Sequence, residues 1–131
     1  MAVVVFLRGV NVGGHKTFRP TLLAKQLRAY DAVNIGAAGT FVVRKPGDLK
    51  KFRSVLLSKL PVDAQVSICQ GQDIVELAED DPFIRARAAP DLVPFVSILP
   101  RASAAQKRFP IAIPETGECL VRVLGARRQF V

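Results

Sequence analysis

Residues 2–7, Ala2-Val3-Val4-Val5-Phe6-Leu7, are apolar without a break, and the run stops at Arg8-Gly9-Val10-Asn11-Val12-Gly13-Gly14. Alternate side chains of a strand face opposite sides of a sheet. Val3, Val5 and Leu7 therefore take one side, and Ala2, Val4 and Phe6 the other. Both sides are apolar, which predicts a central strand covered on both faces. No basic segment precedes the run, so it reads as a strand and not as a signal peptide. The glycines then turn the chain out of the sheet.

Residues 20–69 alternate between helical and strand periods. Pro20 suits the first position of a helix, because its missing N–H costs nothing there. Leu23, Leu27 and Tyr30 recur at helical spacing, and the helix is predicted over 20–30, with Lys25 and Arg28 pointing away from the stripe. Two short strands are predicted near Val33–Gly36 and Thr40–Arg44, joined by a tight hairpin at Ala37-Ala38-Gly39 in which Gly39 supplies a positive φ. Asp48 is placed to cap a second helix over 49–60, with Leu49, Phe52, Leu56 and Leu60 as its core stripe and Pro61 as its stop. Gln65–Cys69 alternates, with Val66 and Ile68 inward, and its half-apolar outer face suits an edge strand. Strand, helix, strand, strand, helix, strand is the split βαβ order of the ferredoxin-like fold. The fold class expected is α+β, with a ferredoxin-like βαββαβ first half over 1–70.

The remainder, 71–131, reads as a second, smaller and less complete α+β subdomain sharing the core. It begins with a short acidic helix over 72–79 that ends near Asp81-Pro82. Residues 84–94 look irregular. A fifth strand is predicted over Phe95–Leu99, then a weak turn or helix near Ala102–Arg108. A last hairpin turns at Thr116-Gly117 and returns along Cys119–Leu124. Residues 125–131 start an element that the sequence does not finish, as a truncated chain or one cut from a longer parent would.

Half of the 131 residues are hydrophobic, enough for a folded core and too many for a disordered chain. No apolar run reaches the roughly 18 residues of a membrane helix, so the expectation is a soluble, cytoplasmic protein with no membrane partner. Cys69 and Cys119 are the only cysteines. They make neither a disulfide framework nor a zinc site, and they read as half-buried thiols. The net charge is +8, unevenly spread. Residues 1–30 hold five bases and no acid, 44–59 hold six bases against Asp48, and 73–81 hold five acids and no base. Such a surface favours polyanions, although it is also simply a well-solvated one.

The stretch Leu7-Arg8-Gly9-Val10-Asn11-Val12-Gly13-Gly14 resembles the L-R-G-[IV]-N-V-G-G signature of the bacterial domain-of-unknown-function 1697 family. Leu22-Leu23 through Leu27 matches its first helix, Asp81-Pro82-Phe83 its N-P-F turn, and Phe95-Val96-Ser97-Ile98-Leu99 its next strand. The resemblance spans roughly residues 2–100. It implies an α+β fold of two ferredoxin-like halves, and it implies no activity. The family's hairpin carries Q-S-G-N, where this chain has Ala37-Ala38-Gly39-Thr40, so only the glycine is kept. Family members also usually continue with a further helix and strand.

Three chemistries are open to the chain. The turn is a candidate anion site, with backbone N–H groups at Gly13 and Gly14 forming a nest and Arg8, Asn11, His15 and Lys16 around it. Alternatively the glycines serve the turn alone and Asn11 bonds turn backbone. Gly9 and Gly14 have the spacing of a P-loop, but His15 takes the lysine position and Lys16-Thr17 comes one place late, so the match is accidental. No G-x-G-x-x-G is present, and no cofactor is implied. Nucleic acid is the second candidate partner. The aromatic RNP pattern is absent, so Lys25, Arg28, Lys50, Lys51 and Arg53 would bind phosphates from the helix faces. Catalysis is the third: an enzyme would use the turn as an anion site with His15, which has no evident partner in sequence. Glu76, Glu79, Asp80 and Asp81 read as a solvated face and not a metal site. The expectation is a non-catalytic protein that binds nucleic acid or a phosphorylated metabolite. A homodimer through the outer face of the Gln65–Cys69 strand is a further alternative.

Overall fold

The computed structural model of the chain describes residues 1–11, 18–84, 90–102 and 107–131. They form two compact units, Met1–Glu76 and Leu77–Val131. The fold is mixed α+β. The first unit is a four-stranded antiparallel sheet made of β1 (Val3–Arg8), β2 (Ala32–Ile35), β3 (Thr40–Val43) and β4 (Gln65–Gln70), in the order β2-β3-β1-β4. Helix α1 (Pro20–Gln26) joins β1 to β2, and α2 (Leu49–Lys59) joins β3 to β4.

β1 is central, as its doubly apolar pattern requires. Val3 lies opposite Val43 and Gln70, Val5 opposite Phe41 and Ile68, and Leu7 opposite Val66. Residues directly opposite share a face, so these side chains, Gln70 apart, make one apolar surface. Leu23 and Leu27 on one segment and Phe52 and Leu56 on the other pack with it in a single buried cluster. Both helices therefore cover the same face of the sheet. On the opposite face Val4 and Phe6 are half-buried, while Ser67 and Cys69 of the edge strand β4 are buried.

The first helix is shorter than its periodicity predicts. It ends at Gln26, and a 3₁₀ turn, Arg28–Tyr30, follows. Leu27 leaves the helical region (φ −101°, ψ 16°), and its N–H is shared between the carbonyls of Leu23 and Ala24. Asp31 then turns left-handed at φ 54°. The tighter turn sets the Tyr30 ring edge-on to Phe52, with centroids 5.1 Å apart. The second helix is capped as expected, the Lys51 N–H donating to Asp48 Oδ1 at 2.8 Å.

Helix α3 (Gly71–Asp80) carries the acidic run. Asp81 ends it at φ 41°, and the Ile84 N–H closes a turn onto the Asp81 carbonyl. In the second unit, β5 (Ile111–Ile113) and β6 (Val121–Val123) form the last hairpin, with Gly117 at φ 86° in its turn. Residues 95–99 are not a strand. Ile98 makes a single bridge to Phe130, while Ser97 and Leu99 form backbone hydrogen bonds with Val131 and Gln129. Pro94 and Pro100 offer no N–H on either side to extend that ladder. Residues 127–131, which look unfinished in sequence, thus have a pairing role, and Phe130 is buried. Residues 85–89 of the irregular stretch, and 103–106 of the predicted weak turn, lie outside the described residues.

Candidate functional site

The signature stretch leaves the sheet at Arg8. Gly9 (φ 79°) and Asn11 (φ 52°) both take left-handed conformations, which glycine accepts freely and asparagine better than most side chains. Between them Val10 turns inward and is buried. The hairpin between β2 and β3 comes down onto this turn. A Cβ on Gly39 would lie 2.9 Å from Leu7 Cβ and 2.9 Å from Val10 Cγ2, and the Gly39 carbonyl accepts from the Leu7 N–H at 2.9 Å. Gly39 is thus required twice, for its φ of 87° and for the close approach.

Asn11 is fully engaged in the turn. Its Nδ2 donates to the Ala37 carbonyl at 3.1 Å, and its Oδ1 accepts from the Phe18 N–H at 2.8 Å. One side chain thus ties the turn to the hairpin and joins the two ends of the stretch 12–17. Arg8 is exposed, with Nη1 3.3 Å from Gln65 Oε1 across the strand pair. The other candidates for the anion site, Gly13, Gly14, His15 and Lys16, lie outside the described residues. Among the candidates that are described, Arg8 alone presents charge to solvent.

The nucleic-acid candidates are better gathered. Lys25 belongs to α1, Arg28 to the 3₁₀ turn, and Lys50, Lys51 and Arg53 to α2; all five are exposed. All five therefore belong to the helical segments that cover one face of the sheet. Arg53 also reaches inward, with Nη1 3.4 Å from the Val66 carbonyl. No carboxylate pairs with Lys25, Arg28, Lys50 or Lys51 among the described residues.

The remaining polar groups fall into ordinary places. Burial raises the pKa of the Cys69 thiol, so it is a poor nucleophile. Asp80 pairs with Arg127. Among the described residues no group of three His, Cys, Asp or Glu side chains could hold a metal ion, and no helix is long and apolar enough to cross a membrane.

An antiparallel sheet with two helical segments on one face and a glycine-asparagine turn at the end of its central strand define the chain as a mixed α+β protein. The chain belongs to the family described as "Protein of unknown function (DUF1697)", whose model matches residues 1–118. No curated protein matches it, and no solved structure does.

Sequence reasoning missed two features here. It assigned Gly39 a turn conformation and not a contact, and it gave Asn11 one turn to bond when the side chain reaches two segments. The signal for both was the pairing of two glycine-bearing signatures in one chain, which bring backbones together where a Cβ does not fit.

Proposed function

We propose that the chain is a non-catalytic binding protein for an anionic ligand, and that the ligand is nucleic acid held by its phosphates. The observation that carries this reading is that Lys25, Arg28, Lys50, Lys51 and Arg53, all on the helical segments of the first unit, are exposed. Clustered bases of this kind gain affinity for a polyanion by releasing its counterions. Base-specific contacts have no support, so binding should be weakly specific. The phosphorylated-metabolite form would use the turn at the end of β1, where Asn11 already bonds the Ala37 carbonyl and the Phe18 N–H.

The antiparallel order β2-β3-β1-β4, with helices between β1 and β2 and between β3 and β4, supports a ferredoxin-like first half. Free Cys69 and Cys119 fit a reducing, cytoplasmic setting. A homodimer is the further alternative, with β4 as an edge strand of the sheet open to pairing.

A salt titration tests the proposal. With up to five phosphate contacts, the log–log slope of affinity against salt should reach about −3.5 on single strands and about −4.5 on duplex. Reversing two charges, Lys50→Glu with Lys51→Glu, should flatten it by about two contacts. Absence of binding to either form at low ionic strength would refute the reading.

A further inference from the structure

A second concave feature of the first unit uses none of the five bases in the helical layer. Arg19, just before α1, and Lys59, at the end of α2, line a cleft of about 260 Å³. Among the described residues its apolar walls come from Phe18, Leu22, Leu23 and Pro61, and Gln26 adds an amide. Two of these walls are held in place. Leu23 belongs to the buried core, Phe18 packs against that core, and the Phe18 N–H is bonded to Asn11.

Leu22 has no such role. It is 49% exposed beside fully packed Leu23, and the cleft is what its side chain faces. The charges are equally one-sided. Among the described residues the lining contains two cations and no carboxylate, and neither Arg19 nor Lys59 has a carboxylate partner there.

Each half of this lining rejects a ligand that suits only the other. A bare inorganic anion leaves the apolar walls wet, and a neutral apolar molecule leaves the two cations without a partner. A ligand carrying both an anionic head and an apolar body satisfies both halves. The volume is below the roughly 300–1,000 Å³ of drug-sized sites, which limits the body to one ring or a short chain.

We infer that this cleft binds a small organic anion, a phosphate monoester or carboxylate on one ring or short chain. Arg19 and Lys59 meet the anionic head, and Phe18, Leu22 and Pro61 pack on the body. The inference is independent of the nucleic-acid reading, because the two surfaces share no residue.

Phenyl phosphate and benzoate are the probes, with inorganic phosphate as the head alone and phenol as the body alone. Titrated into the ¹⁵N-labelled chain, at least one probe should give saturable amide shifts at Phe18, Arg19, Leu22, Gln26 and Lys59. The head alone and the body alone should bind on the order of tenfold more weakly, as each lacks one half of the interaction. Arg19→Gln, Lys59→Gln and Leu22→Ser should each weaken the probe several-fold while the other resonances keep their positions. Nucleic-acid affinity should survive Leu22→Ser unchanged, which separates failure of this site from failure of the helical layer. The inference is overturned if inorganic phosphate or phenol binds as tightly as the probe. It is also overturned if the shifts centre on Lys50 and Lys51, or if no probe saturates.

Discussion

Phe52 and Phe95 are the same side chain in opposite settings. Phe52 is 0% exposed, set in the core against Tyr30; Phe95 is 60% exposed, in an extended stretch between prolines. The contrast holds across the two units. Among the described residues, Phe130 apart, every buried hydrophobic side chain lies in Met1–Glu76, while nine of the fourteen large exposed hydrophobics lie in Leu77–Val131. Charge divides too, with eleven bases against five acids through Glu76 and eight against six beyond it. A four-stranded sheet with a helical layer has a face on which to bury its apolar residues. A two-stranded hairpin has little, and is marginal by itself. Hydrophobic content alone therefore does not make a core; strands must be numerous enough to offer a face.

The sharpest way to break this contrast is a matched pair of truncations. Phe52→Ala should cost about 3–5 kcal/mol, the usual loss on emptying a buried aromatic site. Phe95→Ala should fall within about 0.5 kcal/mol of the parent, as surface changes do. Urea midpoints of the two variants decide it, and equal losses would end the distinction between the units.

Next in size is Gly39→Ala. It combines a left-handed φ, worth about 1–2 kcal/mol against a side chain, with a Cβ 2.9 Å from two core-side atoms. The expected loss is about 2–5 kcal/mol, since overpacking adds about 1–3 more. Gly117→Ala, at a similar φ but with nothing within 4 Å of the new Cβ, should show the conformational part alone. A Gly39 variant no worse than the Gly117 one would remove the close approach from the account.

The smallest effect separates the cysteines. Cys119, exposed in the second unit, should react with a thiol reagent in the native protein, and Cys69 should not. Burial raises the Cys69 pKa above its ordinary value of 9.0. The folded state therefore holds that proton where the unfolded state releases it. Its contribution to stability is present in full below the ordinary thiol value and is lost as pH rises through the raised one. Unfolding midpoints from about pH 8 to about pH 10.5 should fall more steeply in the parent than in Cys69→Ala.

Much of the first unit was legible from periodicity. Val3, Val5 and Leu7 announced a central strand, and Phe52 and Leu56 announced the buried stripe of a helix capped by Asp48. Local signals did worse where a distant partner decides the outcome. The helix after Pro20 keeps its apolar spacing to Tyr30, yet the chain tightens at Leu27 and places Tyr30 on Phe52, a contact that spacing does not encode. Phe95–Leu99 has the composition of a strand, but its backbone partners are the last three residues, and its prolines allow only a short ladder. The candidate site divides likewise. Lysines on a helix face can be read from their offsets, whereas the double bond of Asn11 and the cleft between Arg19 and Lys59 depend on residues far apart in sequence.

Asn11 holds both ends of residues 12–17 at one point, so β1 before them and the start of the α1 segment after them are tied together by one side chain. Lengthening a closed loop costs only about 0.6 kcal/mol per doubling when the loop is flexible. The clasp therefore acts as a graft point. A foreign peptide inserted between Gly14 and Phe18 would be displayed near the end of β1 with little penalty to the sheet.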